Sequence, residues 1–280
     1  GFWADERVDG GIWDLDKIVY RKIFHFFKEK EKEFLENADH IVSLTHAGKK
    51  EMDSWNHINK SPLPITVIPC CADTTLFDRQ KVKAESLQKA REKLGIKPDE
   101  LVLTYLGSIG TWYLLDEMLA FFSVYLEKFP TAKFLFITQD NSEKIHSKAR
   151  TVGIPTDRVL IVSSKRASVP IYALLGDYSI FFIKPSFSKM SSSPTKQGEL
   201  MALGIPVICN SGVGDTDKIV RKYDSGLIVE SFNTLNYQEV VEKIKHSSFD
   251  KDKIRNGAME YFALQIAVSK YKSIYDSLLN

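Results

Sequence analysis

The chain has 280 residues, 44% of them hydrophobic and 26% charged, enough for one large domain or two modest ones around a sizeable core. Those proportions exclude a disordered or fibrous chain. Lys and Arg number 38 against 36 Asp and Glu, a formal net charge of +2, which argues against a dedicated nucleic-acid binder. Residues 14–38 then read as one helix, because Leu15, Ile18, Val19, Ile23, Phe26, Phe27 and Phe34 recur at helical spacing with Lys and Glu between them. A short apolar strand follows, Ile41–Leu44, with Thr45 placed to cap a helix running to about His57. Pro62 and Pro64 break the chain before a strand at Ile65–Ile68, and a charged helix from Gln80 to Leu94 stops at Gly95.

Beyond Pro98 the pattern becomes regular. Strand-like runs at Leu101–Leu106, Phe134–Thr138, Val159–Val162, Ser179–Ile183, Pro206–Asn210 and Gly226–Val229 alternate with helical patterns. The helices are expected at Leu114–Phe129, Ser142–Thr151, Val169–Leu175, Thr195–Leu203 and Asp215–Lys222, with a mostly helical close from Tyr237 to Leu279. Strands that are apolar without alternation are buried on both faces, so the sheet is parallel and covered by helices. Strict alternation of strand and helix gives a doubly wound α/β domain of Rossmann-like type.

In such a sheet, ligands bind beyond the carboxyl ends of the strands. Two loops there carry chemistry. Gly107-Ser108-Ile109-Gly110 leaves the first regular strand, and glycines let backbone approach a phosphate beside a helix N-terminus. Taken alone it is equally a tight strand-to-helix turn. The second is Ser191-Ser192-Ser193-Pro194-Thr195-Lys196-Gln197-Gly198-Glu199, whose hydroxyls and amides precede a helix opening near Pro194. Lys196 adds a compact positive charge, and Glu199 suits sugar or ribose hydroxyls. The plainer alternative is a serine-capped surface helix with solvated Lys and Glu.

Glu199-Leu-Met-Ala-Leu-Gly-Ile-Pro-Val-Ile208 resembles the signature of glycosyltransferase family 4 and its relatives. Further pieces fall in that family's order: Ala38–Ser43, Val67–Asp73 with Phe77, Tyr105–Gly110, and Val169-Pro170 with Asp177 and Pro185-Ser186. The resemblance covers roughly residues 35 to 230. It implies the C-terminal half of a GT-B fold with a small N-terminal α/β remnant. Residues 1–75 would be the end of the acceptor domain and its linker, 76–235 the Rossmann-like nucleotide-sugar domain, and 236–280 C-terminal helices. It also implies transfer, with retention by family precedent, of a sugar from a nucleotide-diphosphate donor to a carbohydrate or lipid-linked acceptor.

Residue by residue, the resemblance sets the donor diphosphate against Gly107, Ser108 and Gly110, and against Ser191, Ser192, Ser193, Thr195 and Lys196. Glu199 matches the second Glu of the family's Glu–seven residues–Glu motif and would hold the ribose, with the nucleobase near Ser163–Arg166, Lys165 included. The chain departs from the pattern at Ser191, where the first motif Glu belongs, and at Trp112 and Tyr113, where a lysine often follows the glycine loop. Only about 70 residues precede Asp73, fewer than a GT-B acceptor domain needs, so the chain is expected to bind donor yet transfer slowly. No catalytic residue is assigned.

No cofactor and no metal is expected, because the six histidines show no ligand spacing. Asp215-Thr216-Asp217 has the Asp-x-Asp form of a metal motif, but Asp at a helix start reads first as a cap for that helix. The absence of a Gly-x-Ser-x-Gly elbow and of a phosphate-binding Gly-Lys-Ser/Thr loop lowers hydrolase and ATPase readings, and a dehydrogenase would need a third glycine after Gly212-Val213-Gly214. A non-catalytic sugar-nucleotide-binding module is the main alternative, an epimerase on the same fold a lesser one. Three cysteines, Cys70, Cys71 and Cys209, cannot build a disulfide framework, which favours the cytoplasm. No secretory pattern and no apolar run of ~18 residues occurs. Lys17, Arg21, Lys22, Lys28, Lys30 and Lys32 would let the first helix touch anionic headgroups at the inner face of a membrane, although packing within the chain is the favoured reading. The strands Ile41–Leu44 and Ile65–Ile68 would have few partners, inviting self-association.

Overall fold

The structure is a computed structural model describing residues 2–279. Two short strands, β1 (Ile41–Ser43) and β2 (Ile65–Val67), pair in parallel as a small sheet. Six more follow: β3 (Val102–Leu106), β4 (Lys133–Ile137), β5 (Val159–Val162), β6 (Tyr178–Phe181), β7 (Val207–Asn210) and β8 (Gly226–Val229). They form one all-parallel sheet in the order β5-β4-β3-β6-β7-β8. All six strands expected beyond Pro98 are therefore in one sheet. Every residue of β3, β4, β6 and β7 is buried, which is why these strands read as apolar without alternation.

The order reverses between β3 and β6. From β3 the chain works outward to β5, then returns to lay β6 on the other side of β3. The loops leaving β3 and β6 thus diverge to opposite faces and leave a crevice at the carboxyl edge, where open α/β sheets bind ligands. The core on the two faces is rich in aromatic side chains, with Phe121, Phe122, Phe134, Phe136, Phe181 and Phe182 fully buried. Each contributes about 1.5–3 kcal/mol by leaving water. Helices Thr234–His246 and Lys251–Tyr261 complete this core through Tyr237, Val240, Val241, Ile254 and Ala258.

A second, smaller cluster of Phe2, Leu35, Met52, Ile58 and Leu63 lies under the N-terminal elements. Here the helix expected over 14–38 is the helix Ile18–Asn37, and a further short helix, Trp3–Asp9, precedes it. Of the longer helix only Leu35 is buried, while Val19, Phe26 and Phe34 are exposed. The favoured packing of its apolar stripe within the chain is therefore realised along one side only. Among the described residues no helix is long and apolar enough to cross a membrane.

Candidate donor-binding site

The glycine loop leaves β3 at the reversal point. Gly107 has φ +121°, a conformation that calls for glycine, and a Cβ there would stand 2.9 Å from the Lys196 Nζ and displace the end of that side chain. Gly110 meets neither constraint. The loop is held from two sides: the Tyr105 hydroxyl donates to the Ser108 carbonyl at 2.6 Å, and the Ile109 amide donates to Asp140. Asp140 is fixed in turn by the Thr138 hydroxyl, 3.0 Å away. One of the loop's amides is thus already committed to a carboxylate.

The segment after β6 makes the facing wall. A 3-10 turn, Phe187–Ser191, runs into the helix Thr195–Ala202, whose first-turn amides are the orphans of any helix start. Pro194 precedes this helix and no side chain caps it, so the serines are not its caps. Ser191 donates to the Ser188 carbonyl at 3.1 Å, and Ser193 accepts from the Cys70 amide at 3.2 Å. Ser191, Ser192, Ser193 and Thr195 all line a cavity of about 500 Å³ shared with Trp112, Tyr113 and Lys189. The Ser191 and Ser193 hydroxyls therefore serve the shape of the loop as well as lining the cavity.

Lys196 and Glu199 follow one turn apart on the helix, and both are buried, which overturns the solvated-surface alternative. The Lys196 Nζ lies 3.3 Å from the Tyr105 hydroxyl and 3.5 Å from the centre of the Tyr113 ring. Burial pushes its pKa down to about 7, against the opposing pull of the Glu199 charge. Tyr113, read from the sequence as a departure, forms part of the aromatic box around this ammonium. Lys196 thus brings to the glycine loop, from the helix, the cation that the loop's own sequence lacks.

Glu199 pairs with Arg166 at 2.5 Å, and the Arg166 guanidinium stacks 4.9 Å over the Phe77 ring. Sequence reasoning placed Arg166 only at the end of the nucleobase loop and singled out Lys165, which is exposed. No local pattern marks Arg166, because its partner is 33 residues away.

Asp215 corrects an expectation. It makes no cap bond to its own helix, Thr216–Tyr223. Its two oxygens instead accept from the amides of His46 and Ala47, capping the helix His46–Asp53 of the N-terminal part. Gly214, φ +51°, packs so closely that a Cβ would lie 2.1 Å from the Ser192 carbonyl oxygen. The Gly-Val-Gly-Asp segment is thus a structural junction between β1's following helix and the serine loop. Among the described residues no group of three or more His, Cys, Asp or Glu is arranged to hold a metal ion.

A parallel sheet in this order, with a glycine loop and a buried lysine meeting at its reversal point, defines a doubly wound α/β protein of Rossmann type. The chain belongs to the glycosyl transferases group 1 family, which it matches over residues 87–260. No curated protein matches it in sequence. Its fold is that of GT-B glycosyltransferases. Sucrose-phosphate synthase from Thermosynechococcus elongatus superposes with a TM-score of 0.69 at 18% identity, over 89% of this chain and 60% of that one. A glycosyltransferase from Rickettsia africae gives 0.69 at 15% identity, over 89% and 67%. HepE from Anabaena, solved with UDP and glucose, gives 0.67 at 14%, over 88% and 64%. The chain thus spans 60% of the length of the first of these relatives.

Proposed function

We propose that this chain binds the nucleotide-diphosphate sugar donor of a glycosyltransferase, for transfer to a carbohydrate or lipid-linked acceptor. The observation that carries the reading is the Lys196 ammonium, buried among aromatic rings against Gly107, with no carboxylate among the described residues in hydrogen-bond or ion-pair contact. A desolvated cation at the strand-order reversal is a site for an anion, and a diphosphate supplies the missing counter-charge. Gly107, Ser108 and Gly110 then face the diphosphate across from Ser192, Ser193 and Thr195. Glu199 takes the ribose hydroxyls once Arg166 yields it, and Arg166 with Phe77 borders the base. That HepE has been solved with UDP-glucose supports a donor of this class.

A thermal-shift panel of UDP, GDP, ADP and CMP, each with and without magnesium, tests the reading. Ligand at ~100 times its dissociation constant stabilises the native state by about 2.7 kcal/mol. For a domain of this size that raises the midpoint by roughly 5–10 °C. No shift with any nucleotide sinks the proposal. A shift wholly dependent on magnesium means that the donor arrives as a metal complex.

A further inference from the structure

A carboxylate reaches the cavity from a part of the chain that no motif marks. Glu6 lies on the helix Trp3–Asp9, 183 residues before its partner Lys189. Its Oε1 takes an ion pair from the Lys189 Nζ at 2.9 Å, and that ammonium sits 3.7 Å above the centre of the Trp112 ring. The cation is buried in the wall, whereas the Glu6 side chain keeps 41% of its exposure and lines the cavity. Its second oxygen makes no hydrogen bond among the described residues.

The helix that carries Glu6 is fixed in place. Asp9 accepts from the Ser188 amide at 2.8 Å, Lys184 donates to the Asp9 carbonyl at 3.0 Å, and Gly10 packs against Trp112. Glu6 therefore stands as a pre-set acceptor beside Trp112, Tyr113 and Ser191–Thr195, around about 500 Å³ of open space. A carboxylate accepts from two hydroxyls at once, and aromatic faces pack against the C–H face of a sugar ring. Ser191 lines the same cavity and carries no carboxylate, whereas Glu6 places one there from the N-terminal helix.

We propose that Glu6 is a specificity-determining residue of this cavity, its carboxylate accepting hydrogen bonds from hydroxyls of the hexose that the donor carries. This rests on the donor-site reading above. Calorimetry on the full chain with UDP, GDP and ADP, and with UDP-glucose, UDP-N-acetylglucosamine, GDP-mannose and ADP-glucose, separates the two. Glu6→Gln is expected to weaken the preferred nucleotide-hexose about tenfold or more, while the bare nucleotide stays within about twofold. Glu6→Asp recovers part of the loss. A double variant, Glu6→Gln with Lys189→Met, leaves no stranded ammonium and is expected to show the same selective loss if the single variant folds poorly. Hexose conjugate and bare nucleotide changing together in a folded variant, or neither changing, overturns the proposal and makes Glu6 a docking residue. Failure of the wild-type chain to bind any nucleotide sinks the donor site itself and this inference with it.

Discussion

Lys196 carries its charge where burial opposes it most, and this gives a testable pH dependence. With its pKa at about 7, the free side chain is largely neutral at pH 8. A diphosphate favours the ammonium, so binding above pH 7 draws a proton from solution. Affinity for a nucleoside diphosphate is then greatest below pH 7 and falls by up to about tenfold per pH unit above it. Tyr105 and Tyr113 stay neutral in this range because burial raises both, leaving Lys196 as the box's titrating group. Calorimetry at pH 8 in buffers of different ionisation enthalpy is expected to show uptake approaching one proton, lost in Lys196→Met; zero uptake in the wild type shows that Lys196 does not meet the phosphates. The folded pKa lies below the unfolded value of 10.5, so the native state binds fewer protons between about pH 7 and 10.5. The cost of burying this lysine is therefore full below pH 7 and shrinks as pH rises through that window. Glu199→Gln is expected to weaken nucleotides by roughly tenfold through loss of charge-assisted bonds to the ribose. Lys196 and Glu199 were legible because both lie on one turn of a motif-bearing helix. Arg166 and Glu6 were not, since each owes its place to a partner far along the chain.

At the scale of elements, the segment Gly212–Asp215 joins the two parts of the molecule. Asp215 caps a helix 168 residues earlier in the chain, through the amides of His46 and Ala47. Sequence could show an Asp at a helix start but not which helix it serves, because capping needs only an oxygen within reach of free amides. Asp215→Ala is expected to cost about 0.5–2 kcal/mol, read as a lower denaturant midpoint with unchanged slope, and Asp215→Asn less, since the amide oxygen still accepts. Gly214→Ala costs more, because it adds a positive-φ strain of order 1–3 kcal/mol to a clash with the Ser192 carbonyl. Wild-type stability in Gly214→Ala would mean that the close approach is not kept in solution. The regular strands and helices were legible because burial on both sheet faces leaves an apolar run that helix periodicity interrupts. The helix Trp3–Asp9 was not, being seven residues long with no side-chain cap to announce it. It is held by contacts with the Phe187–Ser191 turn instead of by its own sequence.

Across the whole molecule, apolar surface is distributed unevenly. The large core is closed, yet two helices present apolar faces outward. On Ile18–Asn37 these are Val19, Phe26 and Phe34; on Leu264–Leu279 they are Leu264, Val268, Tyr271, Tyr275 and Leu278, and only Ala267 of that helix is buried. The two-stranded sheet beside them keeps one unpaired edge on each strand, and a sheet of two strands is marginal by itself. Charge on Ile18–Asn37 is mixed, Arg21, Lys22 and Lys30 being interleaved with Glu29, Glu33 and Glu36, so repulsion does little to keep like surfaces apart. Exposed apolar faces of this extent seek cover. The 280-residue chain is therefore expected to self-associate in solution, with a weight-average mass that rises over the micromolar to hundred-micromolar range in sedimentation velocity. Phe26→Lys and Tyr275→Lys, made separately, distinguish the two faces. Whichever removes a buried aromatic contact weakens association by about ten- to a hundredfold, the equivalent of burying one such side chain. A monomer throughout that range, with both variants unchanged, would mean that these faces stay wet at no cost to the protein and that neither helix is an interface.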